Sequence, residues 1–396
     1  MNCYTNAKLI MKDRIIPDGF LLEDNGVILE ADPMVRLPHA VQSGNCRKIA
    51  CNGLYLAPGF IDIHTHGGGG GDYMDGTEES FITAARTHLR HGTTCLLPTT
   101  TCSTDEALFE SIDTFKKVKK TASNIPCLPG LHLEGPYFSL EQRGAQNPAF
   151  IRDPSSQHYE KILERAEGSI LRWSAAPELK GALEMGRRLS SLGILVSIGH
   201  SNATYDEVLA AVDSGYSHVT HLYSGTSTII RRGGFRFLGV IESSYLIDSM
   251  SVEIIADGLH LPPELLKLIL RCKDNEKICL VTDSMRCADS SAETAFLGSV
   301  NERLSVIIED GIAKLPDRSA FAGSIATSDR LVRVMRDKAG LPLEKAVAMM
   351  TRIPAAIAGI KNKGSLLSGY DADFILFDEG ITVKKVYVGG KEITGI

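Results

Sequence analysis

An aspartate and two histidines alternate along one short apolar stretch, Pro58 to His66, which reads P-G-F-I-D-I-H-T-H. A strand places residues two apart on the same face, so we expect Asp62, His64 and His66 to line one edge together. Imidazole binds zinc and similar divalent ions, and two imidazoles on one rigid strand can share an ion. The stretch therefore predicts a metal-binding edge. The alternative is a buried strand end whose histidines are satisfied by hydrogen bonds.

Residues that could bind a metal also stand at the ends of three later predicted strands. Glu134 ends the strand in L-H-L-E-G-P, His200 stands in S-I-G-H-S-N-A-T, and His221 stands in V-T-H-L-Y. A metal in the mouth of a barrel needs carboxylate or neutral imidazole ligands that converge from several strands, with one position open for water. Each residue alone could be an ordinary core or capping residue. Their shared position at strand ends favours a metal site.

Asp283 closes the last predicted strand of this series, in C-L-V-T-D-S-M. A carboxylate that follows an apolar strand must be paired with a metal, a water or a hydrogen-bond donor. If it faces an attacking water, it can accept the proton and pass it to a leaving nitrogen, as a general acid/base does. The alternative is an aspartate that caps the following turn.

The elements that must position these residues alternate between strand and helix. Eight strands are predicted, beginning near Phe60, Thr93, Cys127, Ile170, Ile194, His218, Ser251 and Ile278. This alternation predicts an α/β fold with a (β/α)8 TIM-type barrel, whose catalytic groups lie at the carboxyl ends of the strands. A doubly wound open sheet is the alternative, but it would not gather polar residues from nearly every strand end.

Both ends of the chain consist of short β-type runs separated by turn residues. Neither end is long enough to bury a core alone, so residues 1–57 and 360–396 are predicted to form one small β-sandwich domain. The barrel then spans residues 58–359. Within that span we predict an inserted β-hairpin over Ala295 to Leu315 and a single helix over Leu343 to Ala358, beginning after Pro342.

The composition is that of a globular protein, with 43% hydrophobic and 23% charged residues and a net charge of -6. A mildly acidic chain gives no electrostatic reason to expect nucleic acid or an anionic membrane as a partner. The first residues lack the apolar core of a signal peptide, and no run approaches the roughly 20 apolar residues of a membrane span. Nine cysteines without a C-x-x-C pair favour reduced thiols. Together these features predict a cytoplasmic protein.

The chain resembles the amidohydrolase superfamily, and within it the deacetylases of N-acetylated amino-sugar 6-phosphates. The resemblance spans nearly the whole chain and rests on an ordered series of motifs: A-P-G-F-I-D-I-H-T-H-G-G-G-G, G-L-H-L-E-G-P, G-H-S-N-A-T, T-H-L-Y, I-A-D-G-L-H and L-V-T-D-S-M. It implies a primary metal site and a general acid/base, Asp283. The ligands that it implies are Glu134, His200 and His221, with His64 and His66 as a second site.

The same resemblance implies how the substrate is held. His260 and Arg232 match positions that bind the sugar phosphate, and the arginine reaches in from a partner subunit, which implies a homodimer. Strand four ends W-S-A-A-P-E, without the metal-bridging lysine of hydantoinase-like and dihydroorotase-like members, so Glu134 is the expected bridging ligand. The expected ion is zinc, one or two per subunit, with iron or manganese as alternatives. The implied reaction converts N-acetylglucosamine 6-phosphate to glucosamine 6-phosphate and acetate.

The residues expected to face the substrate depart from the family pattern. Members carry Asn-Ala-Met after the T-H-L-Y or T-H-L-F motif, whereas this chain carries Ser224, Gly225 and Thr226, so an amide that meets the phosphate is missing. Gln146 replaces a histidine that contacts the substrate, and glutamine can donate a hydrogen bond but cannot carry positive charge. Two alternatives therefore stay open: a hydrolase of another acylated amino sugar or other amide, and a non-catalytic sugar-phosphate sensor.

Overall fold

The computed structural model describes residues 1–39, 41, 46–299 and 303–395. Residues 40, 42–45 and 396 of the predicted end domain and residues 300–302 of the predicted hairpin lie outside the described residues. The described strands are β1 Asn2–Ile10, β2 Ile15–Asp24, β3 Val27–Pro33, β4 Arg47–Ala50, β5 Tyr55–Pro58, β6 Phe60–Thr65, β7 Gly67–Gly68, β8 Gly71–Asp72, β9 Thr93–Pro98, β10 Leu131–Glu134, β11 Ile170–Ala175, β12 Leu195–Ile198, β13 Tyr216–Val219, β14 Ile230–Arg232, β15 Phe235–Phe237, β16 Ser251–Ile254, β17 Ile278–Leu280, β18 Thr294–Leu297, β19 Leu304–Glu309, β20 Ile312–Lys314, β21 Phe374–Phe377, β22 Val383–Val388 and β23 Lys391–Glu392.

Helices occur mainly between the strands of the central region. They are α1 Glu78–Arg90, α2 Asp105–Thr121, α3 Ser156–Ala166, α4 Ala182–Ser191, α5 Tyr205–Asp213, α6 Val240–Leu246, α7 Pro263–Cys272, α8 Ser328–Asp337, α9 Leu343–Met349 and α10 Arg352–Ile357. The mixed α/β fold that the sequence predicts is confirmed. Among the described helices, none combines the length and the apolar character that a membrane crossing requires.

Strands from both ends of the chain join in one eight-stranded sheet. Its order is β23-β22-β21-β5-β1-β2-β3, with β4 beside β1. β21 runs antiparallel to β5 and pairs Phe374 with Pro58. The ring of Tyr4, in β1, meets the ring of Phe374 edge to face, with 4.8 Å between centroids. Residues from opposite ends of the chain therefore share one apolar core.

Each of the eight strands predicted for the central region has a counterpart among the described residues. Six form a parallel sheet in the order β10-β11-β12-β13-β16-β17, and β6 pairs in parallel with β9. Parallel bridges join Cys95 to Cys127 and Thr99 to His132, between β9 and the segment that contains β10. Beyond β17, the backbone N–H of Asp283 donates to the carbonyl of His64 (2.9 Å). The carboxyl ends of these strands thus point the same way.

The helices follow the strands because their sequences are amphipathic and capped. In α2, for example, the side chain of Thr104 accepts a hydrogen bond from the backbone N–H of Ala107, which satisfies one unpaired donor of the first turn. Leu108, Ile112 and Phe115 recur at helical spacing and are buried against the strands. This packing holds the strand ends in register.

Two local predictions need correction. The single helix predicted over Leu343 to Ala358 is wrong, because the chain forms α9 and α10 with a break around Thr351. Pro354 explains the break: it has no backbone N–H to donate, and its ring clashes with the carbonyl four residues earlier in a continuous helix. The predicted hairpin is instead part of a three-stranded antiparallel sheet, β18-β19-β20.

Candidate active site and metal centre

Six ligand-type side chains from five strand ends converge on one point. They are His64 in β6, His66 directly after β6, Glu134 in β10, His200 after β12, His221 after β13 and Asp283 after β17. All six are buried. The structure therefore brings together five of the residues that the sequence suggests for metal binding, together with the suggested acid/base. Asp62, expected on the same edge as His64 and His66, does not join them, because its carboxylate accepts hydrogen bonds from Thr282 Oγ1 and from the backbone N–H of His64.

The four imidazoles direct their Nε2 atoms at two carboxylates. Glu134 Oε1 lies 3.0 Å from Nε2 of His221 and 3.1 Å from Nε2 of His200. Asp283 Oδ1 lies 3.1 Å from Nε2 of His66 and 3.4 Å from Nε2 of His64. Potential ligand atoms lie within 4.8 Å of one another in two groups that share Glu134: one with His200 and His221, the other with His64 and His66.

The remaining ring nitrogens fit metal binding. In three imidazoles Nδ1 lies within hydrogen-bond distance of an oxygen: His64 of Glu253 Oε1 (2.6 Å), His66 of the Thr99 carbonyl (3.3 Å) and His200 of the Gln142 carbonyl (2.9 Å). A proton held on Nδ1 leaves the lone pair on Nε2, which is the tautomer that a metal needs. Imidazole and carboxylate donors of this kind suit zinc, iron or manganese.

Both central carboxylates are ionised at neutral pH. Burial raises the pKa of Glu134, but the imidazoles of His64, His200 and His221 lower it by more, so it lies well below its usual range. Burial likewise opposes ionisation of Asp283, and the same kind of neighbours lower its pKa below the ordinary value. The site therefore concentrates negative charge where a cation would lie.

Three of these residues have a backbone conformation that L-amino acids rarely adopt. The φ angles are 48° at His200, 26° at His221 and 47° at Asp283, all in or beside the left-handed region. Such strain persists only where the surroundings fix it, and it clusters at functional sites. The occurrence of this strained backbone at three strand ends around one point independently supports a functional site.

Five of the six side chains, all except His64, line a cavity of about 180 Å³ that is partly open to solvent. Four of the five predicted substrate residues line it: Gln146, Ser224, Gly225 and His260. Arg232 does not. It lies on the exposed β14-β15 hairpin and lines a separate surface depression, together with Glu178 and Asn202.

Gln146 faces the metal centre as well as the cavity. Its amide nitrogen donates to Glu134 Oε2 (2.6 Å), and its amide oxygen accepts from the backbone N–H of Cys102 (2.9 Å). The glutamine therefore orients Glu134, a contact that the sequence did not suggest. His260 is held differently, with Nδ1 2.8 Å from Asp257 Oδ2 and its ring packed edge-on against Phe321.

Sequence reasoning missed two buried charges beneath the site, Glu253 and Arg172. The Arg172 guanidinium bonds the Glu253 carboxylate, and both side chains are fully buried. Burial raises the pKa of Glu253, but Arg172 and His64 lower it by more. A single charge inside an apolar strand, as in S-V-E-I-I and I-L-R-W-S, was the available signal, because a buried charge must be paired.

Gly225 leaves room for the carbonyl that holds His200. Its φ is 56°, and an added Cβ would lie 2.8 Å from His200 Nδ1 and 2.9 Å from the Gln142 carbonyl oxygen. We expect Gly225→Ala to break that hydrogen bond and to weaken zinc binding by about tenfold or more, as measured by competition with a chelator.

Gly144→Ala is the matched control for this substitution. Gly144 has nearly the same φ, 54°, but its added Cβ would lie 3.7 Å from the His200 ring, an ordinary contact. The strain of a left-handed alanine is thus similar in both variants. Equal zinc affinity in the two would contradict the role given to Gly225.

Comparisons with known proteins agree with this geometry. Residues 55–393 match the model of the amidohydrolase family. The N-acetylglucosamine-6-phosphate deacetylase of Lysinibacillus sphaericus is 31% identical, with 93% of each chain covered, and that of Homo sapiens is 32% identical, with 98% of this chain and 94% of the human protein covered.

A solved structure of a mutant N-acetyl-D-glucosamine-6-phosphate deacetylase from Mycobacterium smegmatis, in complex with N-acetyl-D-glucosamine-6-phosphate, superposes with a TM-score of 0.89. The two sequences are 27% identical, and 99% of each chain is covered. The Pasteurella multocida deacetylase also gives a TM-score of 0.89, at 28% identity and the same coverage. The chain therefore belongs to the amidohydrolase family and, within it, to the N-acetylglucosamine-6-phosphate deacetylases.

Proposed function

We propose that this protein is a metal-dependent hydrolase that converts N-acetylglucosamine 6-phosphate to glucosamine 6-phosphate and acetate. The observation that carries the proposal is the convergence of four imidazole Nε2 atoms on Glu134 and Asp283 beside the cavity. The family membership supports this reaction, because the relatives from Lysinibacillus sphaericus and Homo sapiens are N-acetylglucosamine-6-phosphate deacetylases.

Each residue has one role in this proposal. A divalent metal held by Glu134, His200 and His221, with His64 and His66 as a second site, would polarise the acetamide carbonyl and acidify a water. Gln146 keeps Glu134 oriented.

Asp283 handles the proton. Its ionised carboxylate accepts the proton of the attacking water as the new C–O bond forms. It then donates that proton to the sugar nitrogen as the C–N bond breaks. Acetate and the free amine leave the cavity.

The phosphate needs basic or donor groups at the outer part of the cavity. His260 is fixed by Asp257 at Nδ1 and lines the cavity, which suits a contact to the phosphate. Ser224 and Gly225 line the same wall and offer a hydroxyl and backbone N–H groups. Arg232 completes this set from a second subunit in a homodimer. Exposed Phe235, beside it on the β14-β15 hairpin, is the kind of apolar residue that such an interface covers.

We also propose a closed barrel, a small domain built from both chain ends, a metal identity and a cellular location. The eight central strands close into a (β/α)8 barrel over residues 58–359, in keeping with the hydrogen bond from Asp283 N–H to the His64 carbonyl. Residues 1–57 and 360–396 form a small β-sandwich, in keeping with the single sheet in which β1 pairs with β4 along its first half and with β5 near its end. The metal is zinc and the protein is cytoplasmic.

Acetate release from N-acetylglucosamine 6-phosphate tests the function directly. With metal-loaded protein we expect kcat/KM for this sugar to exceed that for unphosphorylated N-acetylglucosamine by about 100-fold or more, because two charge-assisted hydrogen bonds contribute roughly 1.5–3 kcal/mol each. His260→Asn should lower kcat/KM for the phosphorylated sugar and leave that for the other unchanged.

Other outcomes would point to the alternatives. Equal turnover of both sugars would mean that the phosphate is not recognised. No turnover of either sugar by metal-loaded protein would mean that the site, with Ser224, Gly225 and Gln146, is specific for a different amide substrate. Tight binding of N-acetylglucosamine 6-phosphate without acetate release would identify a sensor.

A further inference from the structure

The fully buried carboxylate of Glu253 contacts one residue in each of the two groups of candidate metal ligands that share Glu134. Its Oε1 lies 2.6 Å from Nδ1 of His64 and accepts the backbone N–H of His221 at 3.0 Å. Its Oε2 accepts from the Arg172 guanidinium and lies 3.4 Å from Nε2 of His218. A carboxylate in β16, outside the ligand set, thus touches one residue from each group.

Two of the four contacts of Glu253 require an acceptor, because the backbone N–H of His221 and the guanidinium of Arg172 can only donate. The carboxylate paired with Arg172 can only accept, so Nδ1 of His64 is the donor in the 2.6 Å contact. Because Glu253 Oε1 takes the proton of His64 Nδ1, the Nε2 lone pair of His64 faces His66 and Asp283. Without this carboxylate, His64 could hold its proton on either nitrogen, and Nε2–H would then point at the metal position.

Arg172 keeps the carboxylate in place. Its guanidinium also donates to the Ile63 carbonyl (3.1 Å), to Thr220 Oγ1 (3.0 Å) and to Ser197 Oγ (3.1 Å). These hydrogen bonds connect Arg172 to β6, to β12 and to the residue that follows β13. Because the guanidinium is fixed in this way, the carboxylate of Glu253 that it bonds has little freedom to move.

A separate metal site at this point is the competing interpretation. His218, Glu253 and Cys279 have potential ligand atoms within 4.8 Å of one another. However, the Arg172 guanidinium already bonds Glu253 there, and a fixed positive charge disfavours a second cation. His218 Nδ1 also lies 2.8 Å from Ser251 Oγ, which satisfies that ring. The cluster is therefore a support for the metal centre and not a site of its own.

We propose that Glu253, held by Arg172, is a positioning residue that fixes the tautomer and orientation of His64 for metal binding. This inference rests on the metal centre of the proposed function but not on its substrate.

A double-mutant cycle on metal binding tests the inference. Glu253→Gln should weaken zinc binding by about 10–100-fold, the usual cost of losing an outer partner of a ligating histidine. In a His64→Asn background most of that loss should disappear, because Glu253 acts through His64. Ser243→Ala is the matched control: it removes one buried side-chain hydrogen bond, to the Gly239 carbonyl, that involves neither Arg172 nor His64, and we expect its zinc affinity to be unchanged.

Two results would overturn the inference. One is an equal loss of zinc affinity from Glu253→Gln in both backgrounds, which would indicate a general structural role. The other is no loss at all. Zinc binding is measured without substrate, so a failed deacetylation assay and a failed cycle are distinct outcomes.

A measurement on the unmutated protein covers the case in which Glu253→Gln does not fold. Nitrogen-15 labelling of the histidine rings reports which ring nitrogen carries a proton in the zinc-loaded protein, and the spectrum of His64→Asn assigns the His64 signals. We expect a protonated Nδ1 at His64. An unprotonated Nδ1 would refute the proposal whatever the variants do.

Discussion

Asp283→Asn is expected to lower kcat for acetate release by about a thousandfold while metal content stays unchanged. General acid–base groups contribute roughly 10²–10⁴-fold, and the amide has nearly the same shape but cannot accept the proton of the attacking water. Metal should be retained because five other ligand-type residues surround the centre. The measurements are kcat at saturating N-acetylglucosamine 6-phosphate and metal content by mass spectrometry.

Asp289→Asn is the control for this prediction. Asp289 is an exposed carboxylate that pairs with Arg90 on the outside of the same segment. We expect its kcat to match that of the unmodified protein. A nearly normal rate in Asp283→Asn would remove the aspartate from the proton transfer, and metal loss in step with the rate would make it a ligand instead.

Glu134→Gln is expected to remove both metal and activity. Glu134 is the one residue shared by the two groups of ligand-type atoms, its Oε1 faces Nε2 of both His200 and His221, and Gln146 donates to its Oε2. The amide is neutral and must turn its NH2 group either to the Gln146 donor or to the position of the metal. Since a metal contributes several kcal/mol to the stabilisation of the transition state, kcat/KM should fall by about 10³-fold or more.

Thermal unfolding with and without a chelator provides a second readout. Free zinc at a thousand times its dissociation constant stabilises a protein that binds it by about 4 kcal/mol. The unmodified protein should therefore lose stability when chelator is added, whereas Glu134→Gln should be insensitive to it. Glu141→Gln, an exposed carboxylate on a neighbouring turn, should behave like the unmodified protein. A chelator response in Glu134→Gln would contradict the bridging role.

Local patterns were enough to predict the residues that meet at the site. His64 and His66 share a face because a strand has a period of two, and Glu134, His200 and His221 follow strands whose carboxyl ends lie together. Both rules need only a few neighbouring residues. The resemblance added the order of the motifs, and the comparisons confirm the family.

Contacts between distant segments were not predictable in this way. Glu253 and His64 lie far apart in the chain, and nothing local in either segment indicates that one holds the other. Gln146 was expected to face the substrate, yet it also donates a hydrogen bond to Glu134, and no local pattern in either segment indicates that contact. Pro354 did carry a local signal for the helix break, and the apolar spacing on both sides concealed it.

The pairing of β5 with β21 has a consequence for the newly made protein. β5 ends at Pro58, just before the strand that carries His64 and His66, and its partner spans Phe374–Phe377. A ribosome delivers that partner only after the whole central region has been translated, and contacts between such distant segments form slowly. The strand that carries His64 therefore gains its final support late in biosynthesis.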